Sequence, residues 1–393
     1  MNKLLHIPEG YRDIYREECK RRQVIRDRLM NTLSLYGYDE IVTPTVEYFD
    51  IFGKEIGTTP SRELYKFFDR EGNTIVLRPD FTPSVARAAS TYFNDEKRPG
   101  RFSYQGSVFH NNDQNQGRLR EYTQIGAELI GNGSIDEDAE IISLVSRMIH
   151  SAGINDFRIS LSHSGIFGVL IREAGLNDDD AFECENLIRN RNFFGLREFL
   201  KSKNISDKIM ELFNIFKPSG SEDEIDSYLS LAADYPDLSS YLSHLLELKE
   251  LLKIYGCSRH VSFDFGQIKS FSYYTGIIFS AYTYGSGEAI LRGGRYDSLL
   301  HEFGRNSPAI GFAFSLDLLI SAIERQQIPV KINDGKTVII YTDERKEDAI
   351  KKADELRDKG IPAEIVLAES DSLFNEIKSE YTDADFIVMR GMK

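Results

Sequence analysis

Four side chains at every second position, Tyr122, Gln124, Gly126 and Glu128, form the most chemically suggestive pattern in this 393-residue chain. In a pleated strand they share one face. A phenol, an amide, a gap and a carboxylate make a poor apolar core and a good floor for a pocket that holds a small polar molecule. The surrounding stretch, Arg101 to Gly131, reads as two long antiparallel strands. Phe102, Tyr104, Gly106 and Val108 alternate along the first, which should end at Phe109. The Asn/Gln/Asp-rich segment from Asn111 to Gly117 supplies the turn. Asp80 and Thr82 precede a helix, where a carboxylate is about as good a helix cap as a ligand group. Tyr273 and Tyr274 adjoin one another, and such pairs, taken alone, are more often core than ligand-binding. The chain carries no P-loop, no HExxH and no dinucleotide fingerprint. Cys19, Cys184 and Cys257 lie far apart without metal-ligand spacing. No cofactor or metal is expected.

Several elements must position these groups. Apolar periodicity predicts a helix from Ile14 to Leu35, and Ile41 to Val46 reads as a strand around Pro44. Leu64 to Phe68 and Thr74 to Leu77 flank Arg70-Glu71-Gly72-Asn73 as a hairpin. Helices follow over Ser84 to Tyr92 and Asp136 to Ser151, then a strand over Phe157 to Leu161. Residues 164–255 read as almost wholly helical. Strands return at Val261 to Phe265 and Ala289 to Leu291, and both Tyr284 to Gly287 and Gly293-Gly294 suggest turns. Strands and helices then alternate to the C-terminus: Thr337 to Tyr341, Glu347 to Lys359, Ala363 to Val366, Ser372 to Glu380 and Phe386 to Met389. This divides the chain into domains 1–325 and 331–393, the second a small α/β unit.

In order and spacing these segments resemble the class II aminoacyl-tRNA synthetases, most closely the histidyl branch. Pro8-Glu9-Gly10-Tyr11-Arg12-Asp13 is similar to that branch's opening, and the strand around Pro44 to its dimer-forming motif 1. Leu77-Arg78-Pro79-Asp80-Phe81-Thr82 is similar to a segment that binds the substrate amino group. Arg101 to Gly131 resembles motif 2, Gln267 to Gly276 the histidine signature, and Ala309 to Leu319 motif 3. The resemblance implies an α+β fold: an antiparallel sheet flanked by helices, a helical insertion at about 164–255, and a C-terminal unit like a shortened anticodon-binding domain. It also implies a homodimer.

The departures concern the nucleotide. The family has an arginine after the residue matching Phe109 and a glutamate two positions later, where this chain has His110 and Asn112. Lys269 replaces the arginine of the histidine signature, and Leu318 replaces the arginine that ends motif 3. A guanidinium gives fixed, bidentate, always-charged hydrogen bonds that histidine, lysine or leucine do not reproduce. The set that would hold free histidine is largely kept: Asp80, Thr82, Gln124, Glu128, Tyr273 and Tyr274. By resemblance, Glu128 and Tyr274 face the imidazole, Asp80, Thr82 and Gln124 the amino group, and Lys269 the carboxylate. The pattern is similar to the histidyl-tRNA-synthetase-like regulatory subunits of ATP phosphoribosyltransferase. It implies a non-catalytic protein that joins a short-form catalytic subunit in a hetero-oligomer, with L-histidine as feedback effector. A divergent working histidyl-tRNA synthetase and a synthetase-like RNA-binding or stress-sensing module are the other readings.

Bulk composition narrows these. The net charge is −14, which disfavours nucleic acid as the main partner. No apolar run approaches the ~18 residues that span a bilayer. A cytoplasmic protein is expected.

Overall fold

A computed structural model describes residues 3–52, 59–94, 98–111, 119–217, 223–268, 273–332, 335–368, 370–381 and 384–390. They form two compact units, Met1–Val330 and Lys331–Lys393. The first opens with helix α1 (Arg16–Leu35), strands β1 (Asp39–Glu40), β2 (Val46–Tyr48), β3 (Lys66–Phe68) and β4 (Thr74–Leu77), and helix α2 (Thr82–Tyr92). The long hairpin follows as β5 (Gly100–Phe109) and β6 (Glu121–Ile130), then α3 (Ile135–Ser151) and β7 (Phe157–His163). Six helices come next: α4 (Gly165–Glu173), α5 (Asp178–Arg189), α6 (Phe193–Ser202), α7 (Asp207–Leu212), α8 (Asp223–Leu231) and α9 (Pro236–Ile254). The unit closes with β8 (Val261–Phe263), β9 (Ile277–Thr283), β10 (Leu291–Arg295), β11 (Ala309–Ser315) and α10 (Leu316–Arg325).

Eight strands make one sheet in the order β1-β5-β6-β11-β10-β9-β7-β8. Its six central strands are antiparallel, while β1 pairs parallel with β5 at one edge and β8 parallel with β7 at the other. The two faces of β6 separate the unit into two cores. Ile125, Ala127 and Leu129 point into the larger core, against Leu29 and Leu33 of α1 and Ile142 and Val145 of α3. The other face carries Phe102, Tyr104 and Val108 of β5, packed with Phe81, Val85 and Ala89 around α2. The polar face of β6 is therefore half of a true core as well as a pocket floor. The sequence alternation shows the polar residues but not the aromatic layer that the neighbouring strand and helix set beside them.

Two local expectations need correction. Residues 41–45 form no strand. Their carbonyls turn to Arg78 instead: its Nη1 donates to Thr43 O at 2.9 Å and its backbone N–H to Thr45 O at 2.9 Å. Pro44, without an N–H, could not have completed a ladder. Gly293 and Gly294 are not a turn but part of β10, paired across the ladder with Phe312 and Gly311 respectively. A Cβ on Gly293 would sit 2.5 Å from both the Gly311 carbonyl and the Phe279 ring, and one on Gly294 2.8 Å from the Tyr274 ring. These glycines permit close packing inside the sheet. Tyr284 and Gly285 do form a turn.

The second unit comprises β12 (Lys336–Tyr341), α11 (Lys346–Asp358), β13 (Ala363–Leu367), α12 (Asp371–Glu380) and β14 (Ala384–Met389). Its sheet is wholly parallel, in the order β13-β12-β14, with Val338 and Ile340 facing Phe374 and Ile377 of α12. The central strand is apolar on both faces, as a parallel strand covered on both sides must be.

Gly311→Ala tests the close packing, because its Cβ would fall 1.6 Å from Glu128 Oε2. We expect a loss of about 1–3 kcal/mol in thermal or urea unfolding. Gly168→Ala, on α4 with nothing within 4 Å, should be neutral or stabilising by up to about 1 kcal/mol.

Candidate functional site

The register of the hairpin sets Glu128 opposite Phe102, Gly126 opposite Tyr104, Gln124 opposite Gly106 and Tyr122 opposite Val108. These pairs share a face, and over it opens a cavity of about 790 Å³. Asp80, Thr82, Tyr122, Gln124, Tyr273 and Tyr274 all line it, although they come from three separate parts of the chain. Of the described members of the expected histidine-binding set, Glu128 is the one not at the lining. Lys269, like Asn112, lies outside the described residues.

Glu128 lies beneath the lining and is fully buried. Thr82 Oγ1 donates to its Oε1 at 2.7 Å and Tyr104 OH to the same oxygen at 3.1 Å, while Tyr296 OH donates to Oε2. Burial pushes this carboxyl up to about 8, and the three hydroxyl donors only partly oppose that. Two of those donors, Thr82 and Tyr296, themselves line the cavity. Glu128 thus reaches the cavity through the hydroxyls it orients. Tyr104 and Tyr296 are the members that sequence reasoning left out. Tyr104 could have been placed by its alternation with Phe102 and Val108. Tyr296 could not, because its role depends on the pairing of β10 with β11.

Asp80 combines both uses open to it. Its Oδ1 accepts from the Thr82 backbone N–H at 3.4 Å, holding the first turn of α2, and the residue also lines the cavity. Gln124 is about nine-tenths buried, and its Oε1 has no hydrogen-bond partner among the described residues. A buried amide oxygen left open in a polar cavity is a ready acceptor for a ligand N–H.

His110 is tied down. Its Nε2 lies 2.9 Å from the Pro79 carbonyl, so the ring N–H donates there, and 3.2 Å from the Tyr122 hydroxyl. Burial lowers its pKa, which keeps the ring neutral near neutral pH. Leu318 lines the opposite part of the cavity and packs against the larger core. Beside it Asp317 accepts from Arg22 at 2.7 Å, from Arg12 at 3.2 Å and from the Thr123 N–H at 2.9 Å. Burial acts to raise this carboxyl, but those donors hold it below the usual carboxylate range.

The sheet order and the pocket on the hairpin face define a histidyl-tRNA-synthetase-like class II body. The histidyl-tRNA synthetase family model matches residues 10–319. The solved histidyl-tRNA synthetase of Nostoc shares the fold, with a TM-score of 0.78 at 19% identity over 95% of this chain and 88% of that one. The expected α+β class is met. An ATP phosphoribosyltransferase regulatory subunit of Acetivibrio thermocellus is 35% identical over 362 residues, 92% of this chain and 86% of the relative. A crystal structure described as an ATP phosphoribosyltransferase regulatory subunit/histidyl-tRNA synthetase from Bacillus halodurans aligns over 99% of both chains, with 31% identity and a TM-score of 0.86. The chain belongs to the family of ATP phosphoribosyltransferase regulatory subunits.

A raised folded-state pKa means that the native protein binds the Glu128 proton more tightly than the unfolded chain does. The stability this contributes is complete below the ordinary value of 4.5 and is lost as pH rises toward about 8. The melting temperature of the wild type relative to Glu128→Gln should therefore fall steadily across that window. A pH-independent difference would show that the carboxyl stays ionised.

Proposed function

We propose that this chain is a non-catalytic subunit that assembles with a short-form ATP phosphoribosyltransferase catalytic subunit and gives the complex its feedback response to L-histidine. The observation that carries this reading is the cavity itself. The open amide of Gln124 stands beside Asp80, Thr82 and the two tyrosines, while the phosphate-gripping positions hold His110 and Leu318. The ligand's amino group meets Asp80, Thr82 and Gln124. Its imidazole meets Tyr274, supported from below by Glu128 through Thr82 and Tyr296.

Loss of catalysis follows from the replaced donors. Removing one preorganised donor to a developing charge commonly costs on the order of 10²- to 10³-fold in rate. A neutral, hydrogen-bonded His110 and an aliphatic Leu318 supply no charge to an α- or γ-phosphate. Feedback needs only about 1–3 kcal/mol of coupling between this cavity and the partner's active site. Exposed Val42, Tyr48 and Phe68 support a homodimer within the larger complex. We place the complex in the cytoplasm; among the described residues no helix is long and apolar enough to cross a membrane.

Mixing the purified chain with a short-form catalytic subunit should give a co-eluting complex whose phosphoribosyl transfer exceeds that of the catalytic chain alone and falls when L-histidine is added. Histidine-dependent ATP–pyrophosphate exchange by the purified chain would overturn the non-catalytic reading in favour of a working synthetase.

A further inference from the structure

The central strands place one cation at the cavity whose side chain has no hydrogen-bond or ion-pair partner among the described residues. Arg292 lies in β10, exposed, and lines the cavity. In register it faces Ala313 of β11, and Ala313 faces Gly126 of β6. Adjacent strands lie about 4.8 Å apart, so Arg292 starts roughly two strand spacings from Gly126. It is on the same sheet face as Gln124 and Glu128, separated by the methyl of Ala313 from Gly126, over which the Tyr104 hydroxyl lies. In the neighbouring row the Tyr274 ring lies over Gly294 and Glu128 Oε2 over Gly311. The Arg292 side chain lines the same cavity as Asp80, Tyr122, Gln124 and Tyr274.

The other arginines of the cavity are engaged. Arg12 bonds Glu18 at 2.8 Å and Asp317 at 3.2 Å, and Arg325 donates to the Gly285 carbonyl at 2.6 Å. The Arg292 side chain makes no hydrogen bond or ion pair among the described residues. Its charge does reach the aromatic end: burial raises the Tyr122 and Tyr274 phenols, and Arg292 pulls both the other way. Glu288 and Glu324 also line the cavity, so a polyphosphate is disfavoured in it and a single carboxylate fits better.

Resting on the histidine reading above, we propose that Arg292 is the carboxylate anchor of this cavity and sets its preference for amino acids over the corresponding amines. A guanidinium presents two parallel N–H groups to a carboxylate, while Asp80 across the floor receives the ammonium.

Calorimetric titration with L-histidine and with histamine, which keeps the imidazole and amine but lacks the carboxylate, tests this. The wild type should prefer histidine. Arg292→Ala should weaken histidine by about tenfold, as for loss of a hydrogen bond to a charged group, and leave histamine within about twofold. Arg292→Lys should fall between, and because it keeps a long cationic stem it guards against a folding artefact in the alanine variant. Unchanged histidine affinity in Arg292→Ala, or equal losses for both ligands, would overturn the assignment. So would AMP binding that depends on Arg292 while histidine binding does not, since the anchor would then serve a phosphate. No histidine binding by the wild type would instead remove the histidine reading itself, and this assignment with it.

Discussion

A carboxyl group buried without solvent must be neutralised, hydrogen-bonded or both, and in this protein Glu128 imposes that condition on the surrounding elements. Its three hydroxyl partners come from the first turn of α2, from the middle of β5 and from just beyond the end of β10. To satisfy one side chain, the hairpin, the helix above it and the second half of the sheet must all be in register at once. Gly311 has to be glycine because Glu128 Oε2 occupies the space of its side chain. The same group thus fixes the architecture and prepares the cavity wall, since Thr82 and Tyr296 present to the cavity what Glu128 holds in place.

The family relationship explains why such an arrangement is present, and the local chemistry shows what has become of it. Within the synthetase-like body the part of the cavity lined by Asp80, Thr82 and Gln124 is densely polar. The other part is bounded by Leu318 and by charges already satisfied among themselves, such as Asp317 with Arg22 and Arg12. His110 fits the same division. It is held within the structure as a ring bonded to the Pro79 carbonyl.

How much of this could be read from the sequence depended on whether a signal was local. The hairpin, the pocket face of β6 and the alternating C-terminal unit were legible because period-2 and period-3.6 patterns are written along the chain. Asp80 and Thr82 were legible as a pair because Leu77 to Thr82 resembles a short contiguous segment that binds an amino group in the histidyl branch. Gly293 and Gly294 misled because glycine marks turns and tight packing alike, and only the rings of Phe279 in β9 and of Tyr274 just before it decide between the two. Pro44 misled in a similar way: Arg78, more than 30 residues away, takes the carbonyls that a strand would have used. Arg292 was invisible because its significance lies in the small residues beside it on β11 and β6.

Asp317 ties the surface of the molecule to its interior. Through Arg22 it grips α1, a helix whose outer side faces solvent, and through the Thr123 N–H it grips the residue next to Gln124. A macromolecule that draws on α1 and a metabolite that rests against Gln124 would then pull on opposite ends of one short tether. Thermodynamic reciprocity leaves no one-way version of that arrangement: if occupancy of the interior loosens the outer grip by some factor, the outer grip must loosen occupancy by the same factor.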